Sequence, residues 1–143
     1  MNVVIGADHG GYEMKEEIKT FLTGLDHDVV DVGCSSTESV DYPDYAEAAV
    51  KTIVDGNCDL GILVCGTGIG MSIAANRNIQ IRAANCHTEH TAKMSREHNN
   101  ANILCLGARV IDNELALKIV REWLQTDFAG GRHQQRIDKF SHS

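Results

Sequence analysis

Two rhythms of apolar residues take turns along this chain. Short stretches dense in Val, Ile, Leu and Ala occupy residues 3–7, 28–32, 60–64, 80–85 and 102–106, the length of strands in a sheet. Between them, apolar residues recur every three or four positions among charges, as amphipathic helices require. Met14, Ile18, Phe21 and Leu22 do so within 12–23, and Leu115, Ile119 and Trp123 within 113–124. Further helices are predicted over 45–55, from the turn at 66–70 to about 76, and over 89–97; Gly130-Gly131 then breaks the chain before a short last helix at 132–140. Strand and helix alternating at this spacing predict one α/β domain over residues 1–143, a five-stranded parallel sheet with helices on both faces. No internal repeat or low-complexity linker interrupts it.

A Rossmann-like, three-layer sandwich of this kind binds ligands beyond the carboxyl ends of its strands, where strand order reverses. With the strands in the order 2-1-3-4-5, the reversal lies between the first and the third. The first ends in Asp8-His9-Gly10-Gly11; the third runs into Cys65-Gly66-Thr67-Gly68-Ile69-Gly70 and then a helix. Alternating glycines entering a helix leave the backbone N–H groups of Gly66 to Gly70 free to face negative charge. A carboxylate, an imidazole, a thiol and an anion-holding turn thus meet in one crevice. A thiol beside convergent amides is a candidate base or nucleophile.

Composition narrows the choice of ligand. The 143 residues carry a net charge of −7, which disfavours nucleic acid as a partner, so an anionic substrate must be met by locally clustered cations. No apolar run approaches membrane-spanning length, and the opening residues lack a basic flank or a small-residue cleavage site. The five cysteines, at 34, 58, 65, 86 and 105, form an odd set without C-x-x-C, which points to reduced thiols and a cytoplasmic location. All but Cys65 read as core or loop thiols.

Spacing weighs against three other chemistries. A phosphatase loop of the C-x5-R type needs arginine at the position where Met71 stands. A dinucleotide site needs G-x-G-x-x-G after the first strand, but that strand is followed only by Gly10-Gly11, and the later turn is G-x-G-x-G. Cys86, His87 and His90 lack a clear fourth ligand for zinc; the two histidines read as exposed residues at a helix start. Neither metal nor cofactor is expected.

Six segments together resemble ribose-5-phosphate isomerase type B: Gly6-Ala-Asp-His-Gly-Gly11, Asp41-Tyr-Pro43, Cys65-Gly-Thr-Gly-Ile-Gly70, Ile73-Ala-Ala-Asn76, Arg96-Glu-His-Asn-Asn100 and Gly130-Gly-Arg-His-Gln-Gln-Arg136. They stand in the family's order and spacing from about residue 2 to 140. The family also holds galactose-6-phosphate isomerase subunits and allose-6-phosphate isomerases. The resemblance implies cofactor-free interconversion of ribose 5-phosphate and ribulose 5-phosphate through a cis-enediolate, in a homodimer. The alternatives are a hexose 6-phosphate isomerase and a non-catalytic phosphosugar-binding paralogue. Some members carry a glutamate base where Met71 stands here, so this chain resembles the branch with a cysteine base.

The residues admit that chemistry. A Cys65 thiolate can take the proton alpha to a carbonyl, and amides of the turn can hold the charge that develops on O1 and O2. Asp8, across the crevice, can shuttle the proton between those oxygens, although an aspartate there also suits the cap of the following helix. Arg132 and Arg136, four apart near a helix start, share a face and suit a phosphate. The family pattern adds His98, assisted by Thr67, as the acid that opens the sugar ring, His9 and Arg109 as further phosphate ligands, and Tyr42 and Asn99 as sugar contacts. His98 and Asn99 precede the fifth strand, at the sheet edge opposite Cys65, so the expectation is a site completed by a second subunit. Pairing of such dimers into tetramers is left open.

Overall fold

The computed structural model describes residues 1–141. Strands β1 (Asn2–Ala7), β2 (Asp28–Asp31), β3 (Leu60–Cys65), β4 (Ala83–Asn85) and β5 (Ile103–Gly107) pair in parallel. The helices are α1 (Tyr12–Gly24), α2 (Tyr42–Val54), α3 (Ile69–Ala75), α4 (Glu89–Glu97), α5 (Asn113–Gln125) and α6 (Arg132–Asp138). The α/β class and the parallel five-stranded sheet are as expected, but the strand order is β2-β1-β3-β5-β4. The last two strands are exchanged relative to the expected 2-1-3-4-5. Burial explains it. Ile103, Leu104, Cys105 and Leu106 are wholly buried, whereas β4 is three half-buried residues. A strand apolar on both faces belongs inside the sheet, and a short one at its edge. Gln80 and Arg82, counted into the fourth strand from sequence, lie outside it; Arg82 Nε donates to the Asn100 carbonyl instead, at 2.8 Å. The exchange leaves the reversal between β1 and β3 untouched.

Each face of the sheet has its own core. On one, Met14, Ile18 and Leu22 of α1, Ala92 of α4, and Ile119, Val120 and Trp123 of α5 cover Val3, Ile5, Ile62, Val64, Leu104 and Leu106. On the other, Ala46, Ala49 and Val50 of α2 with Met71 and Ala75 of α3 cover Val4, Leu63, Cys65, Ile103 and Cys105. Helix α2 starts at Tyr42, three residues earlier than its hydrophobic pattern suggests, with Asp41 before it and Pro43 in the first turn, where a missing N–H costs nothing. At the β2 end, Lys15 is buried and its Nζ lies 2.7 Å from Asp31 and 3.2 Å from Glu16; Lys19 reaches Asp31 at 3.0 Å. Burial alone would raise the Asp31 carboxyl, but hydrogen bonds from Lys15, the Gly33 amide and Lys19 hold it below its ordinary value. Among the described residues no helix is long and apolar enough to cross a membrane.

Candidate active site

Strand β1 delivers Asp8 and His9 to the carboxyl edge. The Asp8 amide donates to the Val64 carbonyl at 3.2 Å, which keeps the aspartate beside the end of β3. Its Oδ1 accepts from the amides of Gly10 (2.9 Å) and Gly11 (3.2 Å), so the capping role is real. Only one oxygen is committed to it. Among the described residues Oδ2 has no donor, and it belongs to a buried side chain at the crevice. His9 Nδ1 accepts from the Val40 amide at 3.1 Å. That bond places the ring proton on Nε2 and ties the loop before α2 to the crevice.

Strand β3 delivers Cys65, 5% exposed, and the glycine turn. The Gly68 amide donates to Cys65 Sγ at 3.1 Å, and the Ile69 amide to Thr67 Oγ1 at 3.3 Å. Two of the five amides expected to face a ligand are therefore already engaged. Those of Gly66, Thr67 and Gly70 donate to no other group among the described residues. Glycine at 68 is required twice over. Its φ is +82°, and a Cβ there would lie 2.5 Å from Asn85 Oδ1 and 3.1 Å from the Leu106 carbonyl oxygen.

Two more expected residues join this edge. The Arg109 amide donates to the Gly66 carbonyl at 2.9 Å. Its guanidinium lies against Gly66 and Gly10, so near that a Cβ on Gly66 would stand 3.1 Å from Nη1. Arg109 thus bridges the turns after β1 and β3. Tyr42, at the start of α2, lays its ring on Gly70, where a Cβ would sit 2.7 Å from ring carbons. The crevice therefore gathers Asp8, His9, Tyr42, Cys65, Gly66, Thr67, Gly68, Ile69, Gly70 and Arg109.

His98, Asn99, Arg132 and Arg136 are not brought to it. His98 follows α4 and precedes β5, whose first residue Ile103 is in register with Gly61, at the amino end of β3, while Cys65 is in register with Gly107. The C-terminal segment docks beside it: the Ala129 amide donates to the Glu97 carbonyl at 3.0 Å, and the rings of His98 and His133 stack with centroids 4.3 Å apart. Lost hydration, then the charges of His98, Arg132 and Arg136, hold the His133 imidazole below its ordinary value. Asn99 borders a groove of about 400 Å³ with Asn76, Arg82 and Phe140. A second group of imidazole, guanidinium and amide side chains is thus assembled at the amino edge.

Some contacts had no signal in the sequence. His87 Nε2 lies 3.2 Å from the Thr67 carbonyl oxygen, although residue 87 reads only as part of a helix start. Cys86 beside it is buried in the core, and burial pushes its thiol up. Val40 carries no side-chain chemistry at all, yet its amide holds His9.

The chain resembles known proteins over nearly its whole length. The model of a family described as Ribose/Galactose Isomerase matches residues 3–140. The chain is similar to ribose-5-phosphate isomerase B of Escherichia coli, 45% identical over 95% of this chain and 91% of that protein. Among solved structures it is similar to Clostridium thermocellum ribose-5-phosphate isomerase B, with a TM-score of 0.98 and 51% identity over 99% of this chain and 95% of that one. It is also similar to the Mycoplasma genitalium ribose-5-phosphate isomerase B crystallised with bound ribulose-5-phosphate, with a TM-score of 0.92 and 41% identity over 96% and 92% of the two chains.

Proposed function

The chain belongs to the ribose/galactose isomerase family, and we propose that it interconverts ribose 5-phosphate and ribulose 5-phosphate, the aldose–ketose step of the non-oxidative pentose phosphate pathway. One observation carries this reading. A cysteine sulfur bonded by the Gly68 amide lies in a crevice with the amides of Gly66, Thr67 and Gly70 and the Oδ2 of Asp8, none of which is engaged among the described residues. Simple binding of a sugar phosphate needs none of that proton chemistry. The names of the relatives from Escherichia coli and Mycoplasma genitalium support the choice of substrate.

In this reading the Cys65 thiolate removes the proton from C2 of the open-chain aldose. The C2–H electron pair moves into a C1–C2 double bond, and charge develops on O1. The free turn amides stabilise the cis-enediolate. Asp8 Oδ2 carries a proton between O1 and O2, and Cys65 returns its proton to C1. The carbon that is reduced and the carbon that is oxidised belong to the same molecule, so the atoms and electrons balance without a cofactor. Before this, His98 protonates the ring oxygen with help from Thr67, while Arg132, Arg136, His9 and Arg109 hold the phosphate and Tyr42 and Asn99 contact the sugar.

Those roles require two copies of the chain. His98 and Arg132 lie with the amino-edge group, a strand's length from Cys65, so we read the active species as a homodimer in which each crevice is completed by the other subunit. The test is incubation with ribose 5-phosphate in deuterium oxide, beside allose 6-phosphate and galactose 6-phosphate. Ribulose 5-phosphate should form fastest, with deuterium entering at C1 to the extent that the proton held by Cys65 exchanges with solvent before its return. No turnover of any of the three would overturn the enzymatic reading, and faster turnover of a hexose phosphate would overturn the substrate.

A further inference from the structure

The loop between β4 and α4 brings His87 to the back of the glycine turn, with Nε2 3.2 Å from the Thr67 carbonyl oxygen. A carbonyl oxygen only accepts, so Nε2 carries the proton and donates. The same peptide unit donates at its other end, from the Gly68 amide to Cys65 Sγ at 3.1 Å. One peptide thus joins His87 to Cys65 through two hydrogen bonds in series. Its freedom to move is small. Gly68 holds a φ of +82°, Asn85 Oδ1 stands where a Cβ of residue 68 would go, and Gly107 packs so close beneath that a Cβ there would be 2.6 Å from the Thr67 carbonyl.

We infer that His87 is a positioning residue for Cys65, acting through the Thr67–Gly68 peptide: it fixes the plane of that peptide and polarises its N–H toward the sulfur. A donor on the carbonyl draws electron density from the amide nitrogen and strengthens the bond the N–H makes, by roughly 10–30% in condensed-phase terms. A thiolate accepts that bond better than a thiol does, so the relay favours the reactive form. The other titratable groups around Cys65 are Asp8 and His9 at the end of β1, Tyr42 and Tyr45 of α2, Cys105 of β5 and Arg109 after it. On the His87 side stand Glu89 and His90 at the start of α4. None of these hydrogen-bonds the Thr67–Gly68 peptide, so they form a constant background to the change.

The inference rests on Cys65 as the base, but its primary readout does not. In His87→Ala, His87→Phe and His87→Gln, the rate of Cys65 alkylation by iodoacetamide is followed against pH by mass spectrometry of the Cys65 peptide, with kcat and KM measured alongside. In His87→Ala and His87→Phe, alkylation at pH 7 should slow roughly 1.5- to fourfold and converge on the wild-type rate near pH 10. His87→Gln, whose amide can donate to the same carbonyl, should recover part of the rate. Across the series kcat should fall in step with alkylation while KM stays within about twofold. Identical alkylation profiles in wild type and His87→Ala would overturn the inference, and so would a loss of kcat with the profile unmoved. If Cys65→Ala keeps its turnover, the base assignment fails, while the alkylation profile still decides whether His87 reaches the sulfur.

Discussion

Mixing two inactive variants gives the most direct test of how the crevice is completed. Strands β3 and β5 run in register from Gly61 and Ile103 to Cys65 and Gly107. Four steps of about 3.3 Å separate those rows by about 13 Å, and His98 stands before Ile103, beyond the lower row. No imidazole spans that distance through the sheet, so the proposal gives each crevice the His98 of a second subunit. Cys65→Ala and His98→Asn should each be nearly inactive alone. Combined in equal amounts under subunit exchange, half of the dimers become hybrids. Each hybrid has one site carrying both lesions and one carrying neither, so activity should recover to about a quarter of wild type. The assay is turnover of ribose 5-phosphate against time after mixing, with hybrid formation followed by native mass spectrometry of one tagged variant. Hybrids formed in full without recovered turnover would refute the sharing of sites and the role given to His98.

Cys65→Ala and Cys65→Ser should lower kcat by about 10²- to 10⁴-fold while calorimetry still detects ribose 5-phosphate binding; near-normal kcat would remove Cys65 from the mechanism. Arg136→Ala should raise KM by the roughly 1.5–3 kcal/mol of a charge-assisted hydrogen bond, and unphosphorylated ribose should be a very poor substrate for the wild-type enzyme. Asp31→Asn should lower stability at pH 7 by about 1–3 kcal/mol, because it removes a partner of the buried Lys15. Asp31 titrates below its ordinary value in the folded chain, so its contribution is complete above the unfolded value near 4 and fades as pH falls through the folded value. Urea midpoints of variant and wild type should therefore differ at pH 7 and draw together as the pH falls below the ordinary carboxylate range.

What could be read in the sequence was what depends on neighbours along the chain. The apolar run ending at Cys65, the glycines after it and the spacing of Ile18, Leu22, Ile119 and Trp123 each report a local constraint, and each lies where the pattern put it. The order of the last two strands depends on a comparison between distant segments. The run at 80–85 is apolar enough for a strand, and only its poorer burial beside Ile103 to Leu106 sends it to the edge. Helix α2 began early because Pro43 starts a helix as readily as it ends one. In the crevice, the acid, thiol and glycines were legible as chemistry, but their partners were not. The bonds from Val40 to His9 and from His87 to Thr67 join residues 31 and 20 apart, and a backbone amide or carbonyl leaves no trace in residue type. The split between the two edges was legible from topology, because a residue preceding a parallel strand lies opposite one that ends its neighbour.

The register that separates the crevice from the amino edge also keeps Cys65 out of disulfide reach of the other thiols in the chain. Cys105 is on the adjoining strand, but its partner in register is Leu63, two residues back. A strand spacing of about 4.8 Å and a rise of about 6.6 Å set the two α-carbons about 8 Å apart, beyond the roughly 7 Å that a disulfide tolerates. Cys34 is bonded to β1 on the far side, Cys86 is bonded to the outer side of β5, and Cys58 precedes β3 at its other end. An oxidised Cys65 therefore has no resolving thiol within its own fold. Peroxide that reaches it leaves a sulfenic acid whose routes are further oxidation, condensation with a backbone nitrogen, or capture by a small thiol arriving through the crevice. A sugar phosphate held there as proposed would cover the sulfur against oxidant and reductant alike, so saturating substrate should slow inactivation by peroxide.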